Sequence, residues 1–270
     1  MKIYNNPQGR LGNSIFRYFA SIVFGTAYDQ NFEIIDIPPT DSIVINDEYF
    51  IEWLSLSNDQ PTIDSTRNYI FIGYFQHDYS KYNEIIQNYI TSHPNDKLWT
   101  DGNKPYYNEF NYPATYYLSQ QLINHHTSIP QYDIVVHLRL EDSIEGNRTM
   151  DPNSIKKILE KLDPISKICF VVNQPTKKIE HQYIHSLRES YENIIVESND
   201  PITDYHIMKN AKILIASLST LSWVAAQMNN SLTQLYFPNI KTHREWIHES
   251  IQTPIPNTIV YEYDILHILF

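Results

Sequence analysis

From residue 131 onward the chain alternates between short apolar runs and longer segments of helical pattern, and no other feature narrows the fold as far. Asp133–His137 (DIVVH) is an apolar run bounded by polar residues, which reads as a buried strand. Asp151-Pro152 then opens a helix to about Leu162, with Asp as N-cap and Pro at the first helical position. Further strands are predicted at Ile168–Val172, Asn193–Val196, Lys212–Ala216 and Gln234–Phe237. Between and after them the pattern predicts helices at Thr176–Tyr191, Asp204–Asn210, Ser219–Met228 and His243–Ile251. Strands spaced by helices of this length imply an α/β unit with a doubly wound, mostly parallel sheet.

The first half is less regular. Lys2–Tyr4, Glu33–Ile35 and Tyr69–Gly73 read as strands, and Lys81–Tyr89 and Ala114–Asn124 as helices. Asn13–Tyr28 reads as a helix with Phe16, Phe19, Ala20, Val23 and Ala27 on one stripe. Pro- and Asp-rich stretches at Pro38–Asp41, Ser57–Ser65 and Ser92–Pro105 read as loops, which often carry recognition surfaces. The boundary between halves is expected near Thr127–Gln131, giving domains over 1–130 and 131–270.

At 270 residues the chain is long enough for two such domains. Its net charge of −11, without a basic patch, argues against nucleic acid as a partner. The single cysteine, Cys169, lies in an apolar run and reads as a small buried hydrophobe. No segment reads as a secretory signal or a membrane span, so a cytoplasmic protein with at most peripheral membrane association is expected. The six glycines, at 9, 12, 25, 73, 102 and 146, cannot form a G-x-G-x-x-G fingerprint or a G-x-x-x-x-G-K-S/T loop. A phosphorylated ligand would therefore be held by side-chain cations and helix N-termini.

Three segments could carry chemistry. His137-Leu138-Arg139-Leu140-Glu141-Asp142 begins where the DIVVH strand ends, at the sheet edge where ligands of open α/β sheets bind. Alternation puts His137 and Arg139 on one side, and an arginine there can grip a diphosphate with its planar fork of donors. The spacing alone equally admits a surface Arg–Glu pair beside a core histidine. In Asp204–Trp223 a short helix runs into an apolar strand that ends in Ser217, Ser219, Thr220 and Ser222. Hydroxyls and free N–H groups at a helix start can bind an anion, though simple N-capping explains one serine. Gly9-Arg10-Leu11-Gly12-Asn13 reads as a loop between the first strand and the first helix, able to approach a ligand or to serve as a plain turn. His181 and His185, four apart on a helix, lack a third metal ligand in view and read as a solvated face.

Taken together these segments resemble the fucosyltransferase superfamily, most closely the bacterial alpha-1,2-fucosyltransferases of glycosyltransferase family 11. GRLGN followed by SIFRYFA resembles their G-x-L-G-N-Q-x-F-x-Y opening, and Gly73-Tyr74-Phe75-Gln76 resembles their G-Y-W/F-Q. HLRLED resembles H-x-R-x-G-D/E and the H-x-R-x-x-D of alpha-1,6- and protein O-fucosyltransferases. DYHIMKNAKILIASLSTLSWVAA is similar to the segment that carries S-T-F-S-W-W in that family. The matches keep the family's order from residue 9 to about 226.

The resemblance implies a GT-B-type architecture of two Rossmann-like halves, with GDP-fucose held by the second. It implies that Arg139 binds the pyrophosphate and that His137 helps hold the nucleotide. Ser217, Ser219, Thr220 and Ser222 would line the phosphates, Asp204 would support the base, and Gly12 and Asn13 would approach from the first half. The implied reaction is an inverting transfer of fucose to a glycan hydroxyl, with no bound metal and no other cofactor. The absence of a D-x-D element agrees with that expectation, leaving Arg139 and the helix start near Ser219 to neutralise the leaving diphosphate. Asp142, Glu141 and Glu145 are candidate bases, with Asp142 preferred.

Departures from the pattern are Glu141 for Gly, Leu221 for Phe, Val224 for the second Trp, Ser14 for Gln, and Val172-Asn173-Gln174 in the middle motif. They leave room for another nucleotide sugar on the same fold, or for a glycan-binding protein without turnover.

Overall fold

The computed structural model describes residues 1–28, 31–56, 63–100, 115–124, 129–146, 148–162, 166–191, 193–239, 255, 257–264 and 266, without the side chains of Glu145, Asn239 and Glu262. The chain divides into two compact units, Met1–Asn124 and His125–Phe270.

The first unit runs β1 (Lys2–Asn5), α1 (Leu11–Tyr28), β2 (Glu33–Ile35), β3 (Ser42–Asn46), α2 (Asp47–Ser55), β4 (Asn68–Ile72), α3 (Asn83–Ser92), β5 (Lys97–Trp99) and β6 (Tyr116–Leu118). Strands β1 to β4 form a parallel sheet in the order β2-β1-β4-β3. Helix α1 buries almost every residue from Leu11 to Gly25 rather than one stripe, because it packs on β1 and is also covered by α3 and β5. Ala27, expected on that stripe, is exposed. Phe24 sits among the rings of Trp53, Tyr69 and Phe71, so aromatic contact joins α1, α2 and β4.

The helix expected at Ala114–Asn124 does not form. Tyr116–Leu118 is not helical but pairs antiparallel with Lys97–Trp99, and only a short 3-10 turn (Ser119–Leu122) follows. Alternation explains this: Leu98 is buried while Trp99 and Tyr116 face each other across the ladder. Strand β3 and helix α2 were not foreseen, although Asn46 caps α2 by accepting from the Tyr49 amide at 2.9 Å.

The second unit runs β7 (Ile134–Leu138), α4 (Glu141–Glu145), α5 (Pro152–Leu159), β8 (Ile168–Val172), α6 (Lys178–Arg188), β9 (Ile194–Glu197), α7 (Pro201–Lys209), β10 (Ile213–Ile215), α8 (Thr220–Gln227), β11 (Gln234–Asn239) and β12 (Thr258–Glu262). All six strands are parallel in the order β12-β11-β10-β7-β8-β9. This is the doubly wound Rossmann order, with its switch point between β7 and β10. Asp151 caps α5 as expected, accepting from the Asn153 amide at 2.8 Å. Helix α7 starts at Pro201, not at Asp204. Asp200 caps it by accepting from the amides of Ile202 and Thr203, repeating the Asp-Pro signal that opens α5. Cys169 is fully buried in β8, where burial pushes its thiol up to about 12. The helix expected at His243–Ile251 lies outside the described residues, as do parts of the loops expected at Ser57–Ser65 and Ser92–Pro105. No described helix is long and apolar enough to cross a membrane.

Candidate functional site

The switch point between β7 and β10 is where the first two motif segments meet. Along β7, Ile134, Val136 and Leu138 enter the core shared with α5 and α6, and Leu140 continues that row beyond the strand. Alternation turns His137 and Arg139 to the other side.

His137 is 8% exposed, and its Nδ1 shares a 2.7 Å hydrogen bond with Ser217 Oγ, just past β10. Burial, and secondarily the neighbouring Arg139 cation, pushes its pKa down to about 3, so the ring is neutral. Arg139 donates from Nε and Nη2 to the two carboxylate oxygens of Asp142, at 3.3 and 2.8 Å. Its Nη1 donates to the Leu218 carbonyl at 3.0 Å. Each terminal nitrogen thus keeps one N–H without a protein partner among the described residues. The Arg139 and Asp142 side chains remain 25% and 22% exposed, enough to meet a ligand.

Asp142 is held from both sides, since Arg148 also reaches it at 3.5 Å. Glu141 and Asp142 open α4, where carboxylates suit the helix N-terminus. The Glu145 side chain lies outside the described residues. The serine cluster divides its labour. Ser219 caps α8 through the Leu221 amide, while Ser222 is fully buried and donates to the carbonyls of Ser219 and Ser217. Ser222 therefore holds the turn and spends its own proton there, whereas Ser219 and Thr220 stay half-exposed at the start of α8.

Asp204 lies inside α7, 7% exposed, where burial raises its carboxyl to about 7 against the pull of the Asn199 amide. Asn199 Nδ2 reaches both Asp204 Oδ1 and Glu197 Oε2, each at 3.3 Å.

The third segment is not a loop at its end: Gly12 and Asn13 lie in the first turn of α1. Gly9 needs its positive φ of 80°, and a Cβ there would stand 2.3 Å from Asn13 Nδ2. Asn13 Oδ1 accepts from Gln76 Nε2 at 3.1 Å, which joins the GRLGN and GYFQ segments directly. Arg17, 1% exposed, ties them further by donating to the carbonyls of Gly73 and Gln8. Asp47 accepts from the amides of Tyr74 and Phe75 and fills the space that a Cβ on Gly73 would need.

Sequence reasoning missed Arg17, Asp47 and Thr149. A cation inside the apolar run Ile15–Tyr28 was a usable signal for Arg17, because a buried charge must be satisfied. Thr149, whose hydroxyl donates to the Arg139 carbonyl at 3.3 Å, gave none. No group of three or more His, Cys, Asp or Glu side chains able to hold a metal occurs among the described residues.

No protein-family model matches the chain, and no curated protein matches its sequence. Solved structures do. Escherichia coli heptosyltransferase WaaC with ADP superposes with a TM-score of 0.50 at 9% identity, over 97% of this chain and 93% of that one. The fucosyltransferase NodZ from Bradyrhizobium gives 0.46 at 10% identity, over 87% and 93%. POFUT1 in complex with GDP-fucose gives 0.43 at 10%, over 87% and 96%. The likeness to WaaC, over nearly the whole of both chains, identifies the class: this is the GT-B-type α/β fold, built from two Rossmann-like units.

Proposed function

We propose that this protein is a nucleotide-sugar-dependent glycosyltransferase whose donor site is the switch point of the second unit. The observation that carries this reading is the pairing of His137 with Ser217 and of Arg139 with the Leu218 carbonyl across β7 and β10. That crevice is where doubly wound sheets bind nucleotides. Arg139, with its two remaining N–H groups, and the start of α8 at Ser219 and Thr220 face the chemistry of a diphosphate. The neutral His137 ring carries a single N–H: in the tautomer with that proton on Nε2, Ser217 donates to Nδ1 and Nε2 can donate to a ligand. Asp204 supports the nucleotide from α7.

The motif resemblance makes GDP-fucose the donor and a glycan hydroxyl the acceptor, with alpha-1,2 linkage. In the inverting reaction the acceptor oxygen bonds to the anomeric carbon as the bond from that carbon to the phosphate oxygen breaks. The diphosphate leaves with the electron pair, and the hydroxyl proton passes to a carboxylate. Asp142 is committed to orienting Arg139, so it takes the proton only by loosening that pair; Glu141 is the neighbouring alternative. Charge on the leaving group is met by Arg139 and the start of α8 without a bound metal.

The test is thermal stabilisation by a donor panel. GDP-fucose is expected to raise Tm, and Arg139→Ala to abolish the shift; no response to GDP or any nucleotide sugar would falsify the reading. A second reading keeps the fold and exchanges the donor. WaaC was solved with ADP, so ADP-sugars belong in the panel beside GDP-mannose and UDP-sugars. Donor binding without transfer or slow donor hydrolysis would instead mark a glycan-binding protein.

A further inference from the structure

The antiparallel pair of β5 and β6 has one face turned away from the core among the described residues. Leu98 points into the core, while Lys97, Trp99 and Tyr116 share the outward face. Trp99 and Tyr116 are cross-strand partners whose ring centroids lie 5.0 Å apart at 52°. Tyr116 is 49% exposed, and Trp99 is partly buried beside it. Single exposed apolar residues need no explanation, but a contiguous pair of large rings does.

The rings are held in place. Asp36 accepts from Trp99 Nε1 at 3.3 Å and from Lys97 Nζ at 2.7 Å. The Lys97 ammonium lies 5.9 Å from the Trp99 ring centroid and 5.5 Å from that of Tyr116. Ser14, in the first turn of α1, donates to the Trp99 carbonyl at 2.6 Å, and Tyr18 donates to Asp96 at 3.0 Å. The hairpin is thus pinned to α1, and Asp36 directly follows β2 at the carboxyl end of the parallel sheet, where ligands of such sheets bind.

We propose that Trp99 and Tyr116, with Asp36 and Lys97 beside them, form a pyranose-binding platform. A pyranose ring offers one face of C–H groups, which an aromatic face covers, and a rim of hydroxyls, which the Asp36 carboxylate beside the rings and the Lys97 ammonium over them can bind. The side chains of Lys97 and Asp36 remain 35% and 41% exposed, so both can reach such a rim. The charged pair beside the rings disfavours a lipid surface, and two rings are too small for a stable protein interface. Because the indole is oriented before the ligand arrives, little ordering entropy opposes binding. Naming this sugar the acceptor rests on the transferase reading; the capacity to bind a pyranose does not.

Saturation-transfer NMR on the full chain tests the platform, with methyl β-galactoside, N-acetyllactosamine and maltotriose as probes. Transfer to C–H protons of one sugar face is expected for at least one probe. Trp99→Ala and Tyr116→Ala should each weaken binding about fivefold or more. Trp99→Phe should keep most of it, and Tyr116→Ser, at the more exposed ring, covers the case in which Trp99→Ala unfolds the hairpin. Absence of transfer from all three probes overturns the proposal. So does transfer that survives loss of either ring, or ring-dependent binding to phosphatidylcholine vesicles without sugar binding. Sugar binding without a response to any nucleotide sugar would leave the platform standing and remove the transferase reading.

Discussion

Ser217 Oγ and His137 Nδ1 stand 2.7 Å apart, joining the end of β10 to the end of β7 where the winding of the six-stranded sheet reverses. The bond closes the floor of the switch point and fixes the orientation of a neutral imidazole. Ser217→Ala leaves a buried ring nitrogen without its partner, so a loss of about 1–3 kcal/mol is expected in urea unfolding. A variant as stable as the parent would show that the hydroxyl is dispensable.

The pH dependence of stability follows from the depressed pKa of His137. The free imidazole titrates at 6.5 and the folded one at about 3, so between these values the unfolded chain holds a proton that the folded chain does not. Stability from this residue is therefore full above pH 6.5 and is lost as pH falls towards 3. His137→Gln should flatten the acid limb, read as the difference in urea midpoint between pH 7 and pH 5.

Asp204 acts with the opposite sign. Its carboxyl is raised from 3.8 to about 7, so the folded chain holds the extra proton across that window. Its contribution is full below pH 3.8 and is lost as pH rises through 7. Asp204→Asn, which keeps the shape and removes the charge, should gain stability over the parent at pH 8 relative to pH 5. Parallel pH curves for the two proteins would contradict the buried placement of this carboxyl.

Asp142→Asn separates orientation from proton transfer. Loss of the charged fork to Arg139 should weaken donor binding about tenfold, in line with about 1.5–3 kcal/mol for hydrogen bonds to charged groups. If orientation is its work, turnover at saturating donor stays within a few fold, and kcat still rises with pH as the true base loses its proton. A large fall in kcat at unchanged donor Kd, with that rise gone, would make Asp142 the base.

Gly73→Ala probes the junction of the two first-unit motifs. Its φ of 149° disfavours a side chain, and a Cβ would stand 2.2 Å from Asp47 Oδ2. A loss above about 1 kcal/mol is expected from backbone strain alone. Asp47→Ala should also destabilise the turn, since it releases the amides of Tyr74 and Phe75. Near-parent stability of Gly73→Ala by thermal melting would refute the crowding.

Legibility differed between the two units for a physical reason. In the second unit the central strands β7, β8 and β10 are short, apolar and bounded, because strands inside a parallel sheet covered on both faces have no polar side. The strands from β7 to β11 and the helices α5, α6 and α8 accordingly fall within a few residues of expectation. The start of α7 was misjudged although Asp200-Pro201 repeats the signal read correctly at Asp151-Pro152. In the first unit, three-residue strands such as β5 and β6 carry too little period to be told from a helical turn, so the pattern at Ala114–Asn124 reads as helix where the structure pairs Tyr116–Leu118 as a strand.

The linear order of residues determined that His137 and Arg139 end a strand, that Ser219 starts a helix, and that no glycine-rich phosphate loop exists. Each of those is a local property of propensity, capping and period. Only the tertiary structure decided which residues meet: strand order places Ser217 and Leu218 against His137 and Arg139 from 79 or 80 residues away. It also decided that Ser222 turns inward, that Asp204 is buried, and that Asp142 serves Arg139 before anything else. Partnership across a sheet depends on which strands become neighbours, and that follows from the packing of the whole unit rather than from any window of sequence.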